Sequence, residues 1–312
     1  MPDLNKYIDL IKSGDIVAFP TETVYGLGAD AWNPAAIKKI FELKGRPADN
    51  PLIVHISDKN QLNDFVAQIP DSAQKLMDAF WPGPLTLVFK KKPAVLDLIT
   101  GGLNTVALRI PDHSLAIELI SNTGPLVAPS ANKSGHPSPT KAAHVLSDFG
   151  ADFPVIDGGA TEIGLESTVL DLTAKVPAIL RPGKIGVQEI GNVLGIEIEA
   201  GSSQTEKTEI PKSPGQKYSH YKPKAEVYYG DISNFEKNTL YLVQRERIES
   251  SKNVINYSGD LELLSQELYD RFRQTDIKGF KAVSIESIED YCYQYPSLYD
   301  ALLNRIEKAT GK

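Results

Sequence analysis

The sequence predicts an α/β protein in two parts: a mixed twisted sheet with helices packed on it, then a smaller α/β layer of Rossmann-like arrangement. Three observations carry this. Short apolar runs of strand length alternate with amphipathic stretches of helix length through about residue 200. Residues 201–224, GSSQTEKTEIPKSPGQKYSHYKPK, then break the pattern with a Ser-, Pro- and Lys-rich stretch. After it a strand–helix alternation resumes. The expected domains are therefore 1–200, a connector at 201–224, and 225–312.

Each element has a local reason. Residues 5–13 put Tyr7, Ile8 and Ile11 on one helix face. Residues 16–19 are an apolar run that ends at Pro20, where a Thr21-Glu22-Thr23 loop begins. Residues 34–43 read as a helix opened by Pro34 and stopped at Lys44-Gly45-Arg46-Pro47. Residues 52–56, 85–89, 105–110, 126–128, 155–157, 168–171 and 178–180 read as strands, and 71–80 and 113–121 as helices. Beyond the connector, strands are expected at 226–229, 239–243, 254–257 and 282–285, and helices at 261–275 and 297–309. No G-x-G-x-x-G accompanies that second pattern, so it carries no dinucleotide claim.

Composition is that of an ordinary globular protein, and no apolar run approaches the length of a membrane span. The opening MPDLNKYIDLIKSGD has acids and no apolar core of signal-peptide length. With Cys292 as the single cysteine, no internal disulfide or Cys/His zinc site is expected. A reducing, cytoplasmic home follows. The formal charge of −7 is uneven. Acids outnumber bases in 1–200 and in 225–312, whereas the connector is basic. That favours a local anion site over a long phosphate track.

The chemistry gathers in loops at strand ends. There is no Walker-type G-x-x-x-x-G-K-[ST], no H-E-x-x-H and no G-x-S-x-G. Residues 1–200 contain only three arginines, Arg46, Arg109 and Arg181, each within two residues of a proline. Arginine suits bidentate capture of carboxylate and phosphate, and proline fixes the backbone beside it. Together with the Thr-rich loop they suggest one site for a polyanionic small molecule. Ordinary surface ion pairing is the competing reading. Lys44 also fits simple capping of a helix C-terminus, and His55 fits a satisfied core histidine. Residues 129–135, PSANKSG, with Ser138 soon after, offer hydroxyls, an amide and backbone N–H groups, the parts of an anion nest or of a plain turn.

F-P-T-E-T-V-Y-G-L-G at 19–28, K-G-R-P at 44–47, P-S-A-N-x-S-G at 129–135, E-S-T-V at 166–169 and L-R-P-G at 180–183 resemble, in this order, the YrdC-type threonylcarbamoyl-AMP synthases. S-P-G-Q-K-Y-S-H-Y-K-P at 213–223 resembles the interdomain linker of their two-domain form. The resemblance implies a YrdC-like catalytic domain followed by a Rossmann-like one. It implies an enzyme that joins L-threonine, bicarbonate and ATP into threonylcarbamoyladenylate with release of pyrophosphate, feeding a downstream tRNA threonylcarbamoyl transferase. It places Thr23, His55, Arg109, Ala128 and Ser167 around threonine. It places Arg46, Asn50, Thr105, Ser130, Asn132, Ser138, Arg181 and Tyr221 on ATP, with Lys44 and Arg46 in the catalytic role. Mg²⁺ would arrive with ATP, and no protein metal cage is expected. The connector, with Lys217, Tyr218, His220 and Tyr221, would act as a lid over the nucleotide. A non-enzymatic RNA-binding module of the same fold is the alternative. A carbamoyl-transfer domain of hydrogenase-maturation type is a third reading, but the zinc-finger and acylphosphatase-like modules of those proteins are absent.

The charge distribution predicts weak, salt-sensitive tRNA binding, carried by the connector. In an anisotropy titration, affinity should fall steeply between about 50 and 200 mM salt. Tight, sequence-selective binding at the higher salt would favour the RNA-module reading.

Overall fold

Val17–Phe19 is apolar at every position, and it forms a strand (β1) buried on both faces. Its partner is Gly26–Asp30 (β2), antiparallel, with Phe19 opposite Gly26 and Val17 opposite Gly28. The sequence reading assigns no strand to the glycine-rich GLGAD, and the Phe19 ring explains why it is one. A Cβ on Gly28 would lie 2.9 Å from Phe19 Cε1, so the ring occupies the space a side chain would need. The structure, a computed structural model, describes residues 3–198, 221–245 and 248–311. Most of the 201–224 connector, including the expected lid residues Lys217, Tyr218 and His220, lies outside the described residues.

The remaining strands of the first sheet are Ile53–His55 (β3), Leu85–Lys90 (β4), Thr105–Arg109 (β5), Leu126–Val127 (β6), Thr168–Asp171 (β7) and Ala178–Arg181 (β8). Their spatial order is β1-β2-β6-β3-β5-β4-β7-β8. Only β3–β5 and β4–β7 pair in parallel, so the sheet is mixed. Helices Asn5–Lys12 (α1), Pro34–Lys44 (α2), Leu62–Phe65 (α3), Asp71–Phe80 (α4), Asp97–Thr100 (α5), Ser114–Thr123 (α6), Ala142–Phe149 (α7) and Val187–Leu194 (α8) accompany it. The start of α2 is fixed by Asn33, whose Oδ1 accepts from Ala35 N at 3.0 Å and Ala36 N at 3.1 Å, and by Pro34 in the first turn. It stops at Gly45, left-handed at φ 61°.

The second sheet is four-stranded and wholly parallel: Glu226–Gly230 (β9), Thr239–Val243 (β10), Val254–Asn256 (β11) and Ala282–Glu286 (β12), in the order β11-β10-β12-β9. Leu261–Ile277 (α9) and Pro296–Thr310 (α10) bury their apolar faces in its core. The fold is therefore the expected mixed α/β sheet with a smaller parallel α/β layer. Three details differ from the sequence reading. Residues 155–157 are not a strand; Val155 makes a single bridge to Ala18. The strand β2 was hidden by its glycines. The helices α3, α5, α7 and α8 are not part of the sequence reading; α3 and α5 are only about one turn long, too short to show a period.

The two layers share one apolar cluster, in which Val24, Ile163 and Leu165 pack with Leu264, Leu268 and Tyr269 of α9. At its edge Ser265 Oγ donates to Ile163 O at 3.0 Å. Buried Arg273 and Asp148 pair at 2.8 Å, and Asp270 takes both His144 Nε2 at 2.9 Å and Lys141 Nζ at 2.8 Å. Gly164 lets the backbones meet. It sits at φ 78°, and a Cβ there would press on Ser265 O and come within 2.5 Å of Gln266 Cα.

Gly164→Ala should therefore destabilise the protein by about 2–4 kcal/mol, from a strained φ and a backbone clash together. Urea unfolding monitored by fluorescence would register this as a lower midpoint. An unchanged midpoint would mean that α9 does not lie this close.

Candidate functional site

The sheet register brings the sequence motifs to one edge. Parallel pairing of β3 with β5 sets His55 beside Arg109 at the strand ends. The strand β4 runs antiparallel to β5 and parallel to β7, so the start of β7, with Ser167 just before it, comes to the same edge. Arg181, ending β8, pairs with Val169. Ala128 follows β6, with its N–H donating to Ile53 O at 3.0 Å.

These residues line one open cleft of about 680 Å³, its solvent-open mouth included. Of the predicted site residues, Thr23, Arg46, His55, Arg109, Ala128, Ser130, Asn132, Ser138, Ser167, Arg181 and Tyr221 line it. Lys44, Asn50 and Thr105 do not. Lys44 lies behind the wall: its Nζ donates to Ser130 O at 2.6 Å and to Asn132 O, and its own carbonyl accepts from Ser134 N at 2.9 Å. Burial, with Arg46 beside it, pushes its ammonium well below the usual lysine range. Lys44 thus clasps the 130–134 loop. Asn50 is buried, and its carbonyl lies 3.4 Å from the Arg46 guanidinium. Thr105 stands half-buried at the start of β5, opposite Lys90.

Each arginine is held by carbonyls. Arg46 Nη2 donates to Pro51 O at 2.9 Å. Arg109 Nε donates to Gly83 O at 3.0 Å, and its Nη1 to Thr23 Oγ1 at 2.9 Å. Arg181 donates twice to Ser167 O, at 3.0 and 2.9 Å, and to Ser167 Oγ at 3.1 Å. The Glu22 carboxylate approaches Arg109 Nη2 to 2.5 Å. Neither group is aligned for a hydrogen bond, so the contact is electrostatic. Carbonyl anchoring fixes three planar cations in place before any ligand arrives, which is preorganisation. His55 is buried and edge-on to Phe19, with ring centroids 6.1 Å apart. Burial, then Arg109, pushes its imidazole down to about 3, so it stays neutral at physiological pH.

Sequence reasoning gave no role to His136, which also lines the cleft, took Thr21 only as part of the Thr-rich loop, and gave Glu166 no ligand role beyond its place in the E-S-T-V motif. Burial would raise the Glu166 carboxyl, but Arg305, Arg181 and the Ser138 hydroxyl outweigh it and hold it at about 2. Its partners Arg305 and Tyr269 come from α10 and α9, more than 100 residues away, and no local pattern could have announced them.

Residues 9–183 match the Sua5/YciO/YrdC family, described as "Telomere recombination". Residues 185–311 match the family described as "Threonylcarbamoyl-AMP synthase, C-terminal domain". The chain is 44% identical to a threonylcarbamoyl-AMP synthase of Pyrococcus abyssi, over 96% of this chain and 92% of that one. It is 42% identical to one of Bacillus subtilis, over 99% of this chain and 93% of that one. The crystal structure of P. abyssi Sua5 complexed with L-threonine superposes with a TM-score of 0.88 at 41% identity, covering 98% of this chain and 93% of that one.

A neutral buried histidine makes stability pH-dependent. Between its folded value of about 3 and the ordinary 6.5, the unfolded chain binds a proton that the folded chain refuses. Stability should therefore fall as pH drops below 6.5, by about 1.4 kcal/mol per pH unit from this residue. Glu166 adds to the loss only below the ordinary 4.5. His113 and His144 are also lowered by burial and share the sign. Urea unfolding between pH 6.5 and 5 should thus show His55→Gln with a slope flatter by about one proton. Equal slopes would mean that His55 is solvated.

Proposed function

Because this chain belongs to the Sua5/YciO/YrdC family of threonylcarbamoyl-AMP synthases, we propose that it condenses L-threonine, bicarbonate or CO₂, and ATP into L-threonylcarbamoyladenylate with release of pyrophosphate. The product would supply a tRNA threonylcarbamoyl transferase, in the cytoplasm. Among the described residues, no helix is long and apolar enough to cross a membrane. The observation that supports this reading most is the convergence of Arg46, Arg109 and Arg181 with Ser130, Ser138, Ser167 and Tyr221 on one cleft.

The chemistry asks little of the protein beyond placement. The free amine of threonine adds to CO₂ and loses a proton, giving a carbamate. A carbamate oxygen attacks the α-phosphorus of ATP, and the bond to the β-phosphate oxygen breaks, releasing pyrophosphate. No protein nucleophile takes part; positioning and charge neutralisation carry the transfer. Arg109, with Thr23, His55, Ala128 and Ser167, receives threonine and its carboxylate. Arg46, Arg181, Ser130, Asn132, Ser138 and Tyr221 receive ATP, with Asn50 and Thr105 at its margin. Arg46 neutralises the developing phosphate charge, and Lys44 holds the 130–134 loop against it. Mg²⁺ enters as part of the ATP substrate. The cleft's carboxylate, Glu166, is already engaged by Arg305, so the ion would ride on triphosphate oxygens. In this reading 1–200 is the catalytic domain, 201–224 a lid, and 225–312 a second domain.

Pyrophosphate release should require threonine, bicarbonate and ATP together. Serine, lacking the methyl group, should be a poorer substrate by roughly 10–200-fold in kcat/KM. A coupled pyrophosphate assay with each component omitted tests both statements. Vigorous ATP hydrolysis without threonine would overturn the reaction, and equal use of serine would overturn the threonine pocket.

A further inference from the structure

Glu166 is a cleft-lining carboxylate whose partners come mainly from the other layer. Its Oε1 accepts from Ser138 Oγ at 2.5 Å. Its Oε2 accepts from Arg305 Nε at 2.9 Å and from Tyr269 OH at 3.0 Å. Arg305 is fully buried and also donates to the backbone oxygen of Pro182, the residue after Arg181, at 2.8 Å. The Tyr221 ring, at the cleft wall, stacks on Tyr269 with centroids 5.3 Å apart, and Arg305 Cζ lies 5.5 Å from its centre. Four groups assigned above to the nucleotide side, or adjoining it, therefore rest on two residues of α9 and α10. None of the threonine-side contacts of Arg109 or His55 involves them.

We propose that Arg305 and Tyr269 are positioning residues for the nucleotide: through Glu166 they hold Ser138, and directly they back the Tyr221 ring and the Pro182 carbonyl that follows Arg181, so that ATP capture depends on the C-terminal layer and threonine capture does not. A carboxylate facing an ATP site would repel phosphate if left unpaired. Arg305 cancels that charge while keeping both carboxylate oxygens as fixed acceptors. Tyr269 supplies a second donor and the surface on which Tyr221 lies. Neither residue reaches the reacting atoms. This inference rests on the cleft holding ATP as proposed above.

The test measures binding of α,β-methylene-ATP with Mg²⁺, and separately of L-threonine, by calorimetry on the full chain. Tyr269→Phe removes one hydroxyl and keeps the ring; it should weaken the nucleotide analogue about 3–10-fold, the scale of one hydrogen bond, and leave threonine unchanged. Arg305→Met should weaken the analogue by about 100-fold or more, because it strands a buried carboxylate. If that variant does not fold, the neutralised pair Arg305→Met with Glu166→Gln replaces it. Because Arg305 and Glu166 act as a pair, the double variant should lose clearly less affinity for the analogue than the sum of the two single losses. Arg305→Lys should recover part of the affinity.

Nucleotide binding by Tyr269→Phe equal to wild type, or an equal loss for threonine and nucleotide, would overturn the inference. So would losses that add in full in the double variant. Wild-type protein that binds threonine but not the analogue would instead overturn the nucleotide reading, and the inference with it.

Discussion

The buried carboxylate of Glu166 is the point on which the two layers agree. Removing one partner from a buried ion pair typically costs about 3–5 kcal/mol, since the remaining charge has neither water nor counterion. Glu166 enters β7 from a loop whose neighbours, Leu165 and Ser167, are themselves buried. Arg305, Tyr269 and Ser138 reach it from α10, α9 and the stretch before α7. All must be in register for the charge to be satisfied. Such a pair adds less to net stability than its Coulomb attraction suggests, because both charges leave water to form it.

A second tie runs parallel to the first. Arg273 of α9 pairs with Asp148 of α7, and Asp148 in turn accepts from His136 at the cleft. Burial would raise the Asp148 carboxyl, but Arg273 and His136 hold it low. Asp148 Oδ2 also receives Lys133 N at 3.3 Å, so the loop carrying Ser130 and Asn132 is braced from behind. On its other side Lys44 clasps the same loop through Ser130 O and Asn132 O. The anion-nest candidate is thus built from backbone held at both flanks, which suits a site that binds by geometry and does not rearrange.

The cleft's opposite wall depends on close backbone approach. Phe19 fills the space over Gly26 and Gly28 where β1 and β2 pair antiparallel. Thr21 Oγ1 then bonds Thr23 Oγ1 at 2.8 Å and donates to Val24 O at 2.7 Å, which folds the Thr-Glu-Thr turn on itself and aims Thr23 at Arg109. The apolar hairpin and the polar turn are one unit, and substituting either glycine would move the threonines.

Much of this was legible in the chain. Short apolar runs such as Val17–Phe19 and Leu240–Val243 read as buried strands from length and composition, and Asn33, Pro34 and Gly45 bound α2 by local chemistry that no tertiary contact needs to supply. The scarcity of arginine in 1–200, and the proline beside each one, marked out three residues that do converge on the cleft. What the sequence could not announce depends on contacts between distant residues. GLGAD becomes a strand because a phenylalanine from the next strand fills its missing side chains. Lys44 stands behind the cleft wall because two carbonyls some ninety residues away capture it. Glu166 is a satisfied buried anion only because Arg305 arrives from the far end of the chain. Local propensity and hydrophobic period act over a few residues and can be read in order. Charge compensation and close packing act through space, and only the tertiary structure decides them.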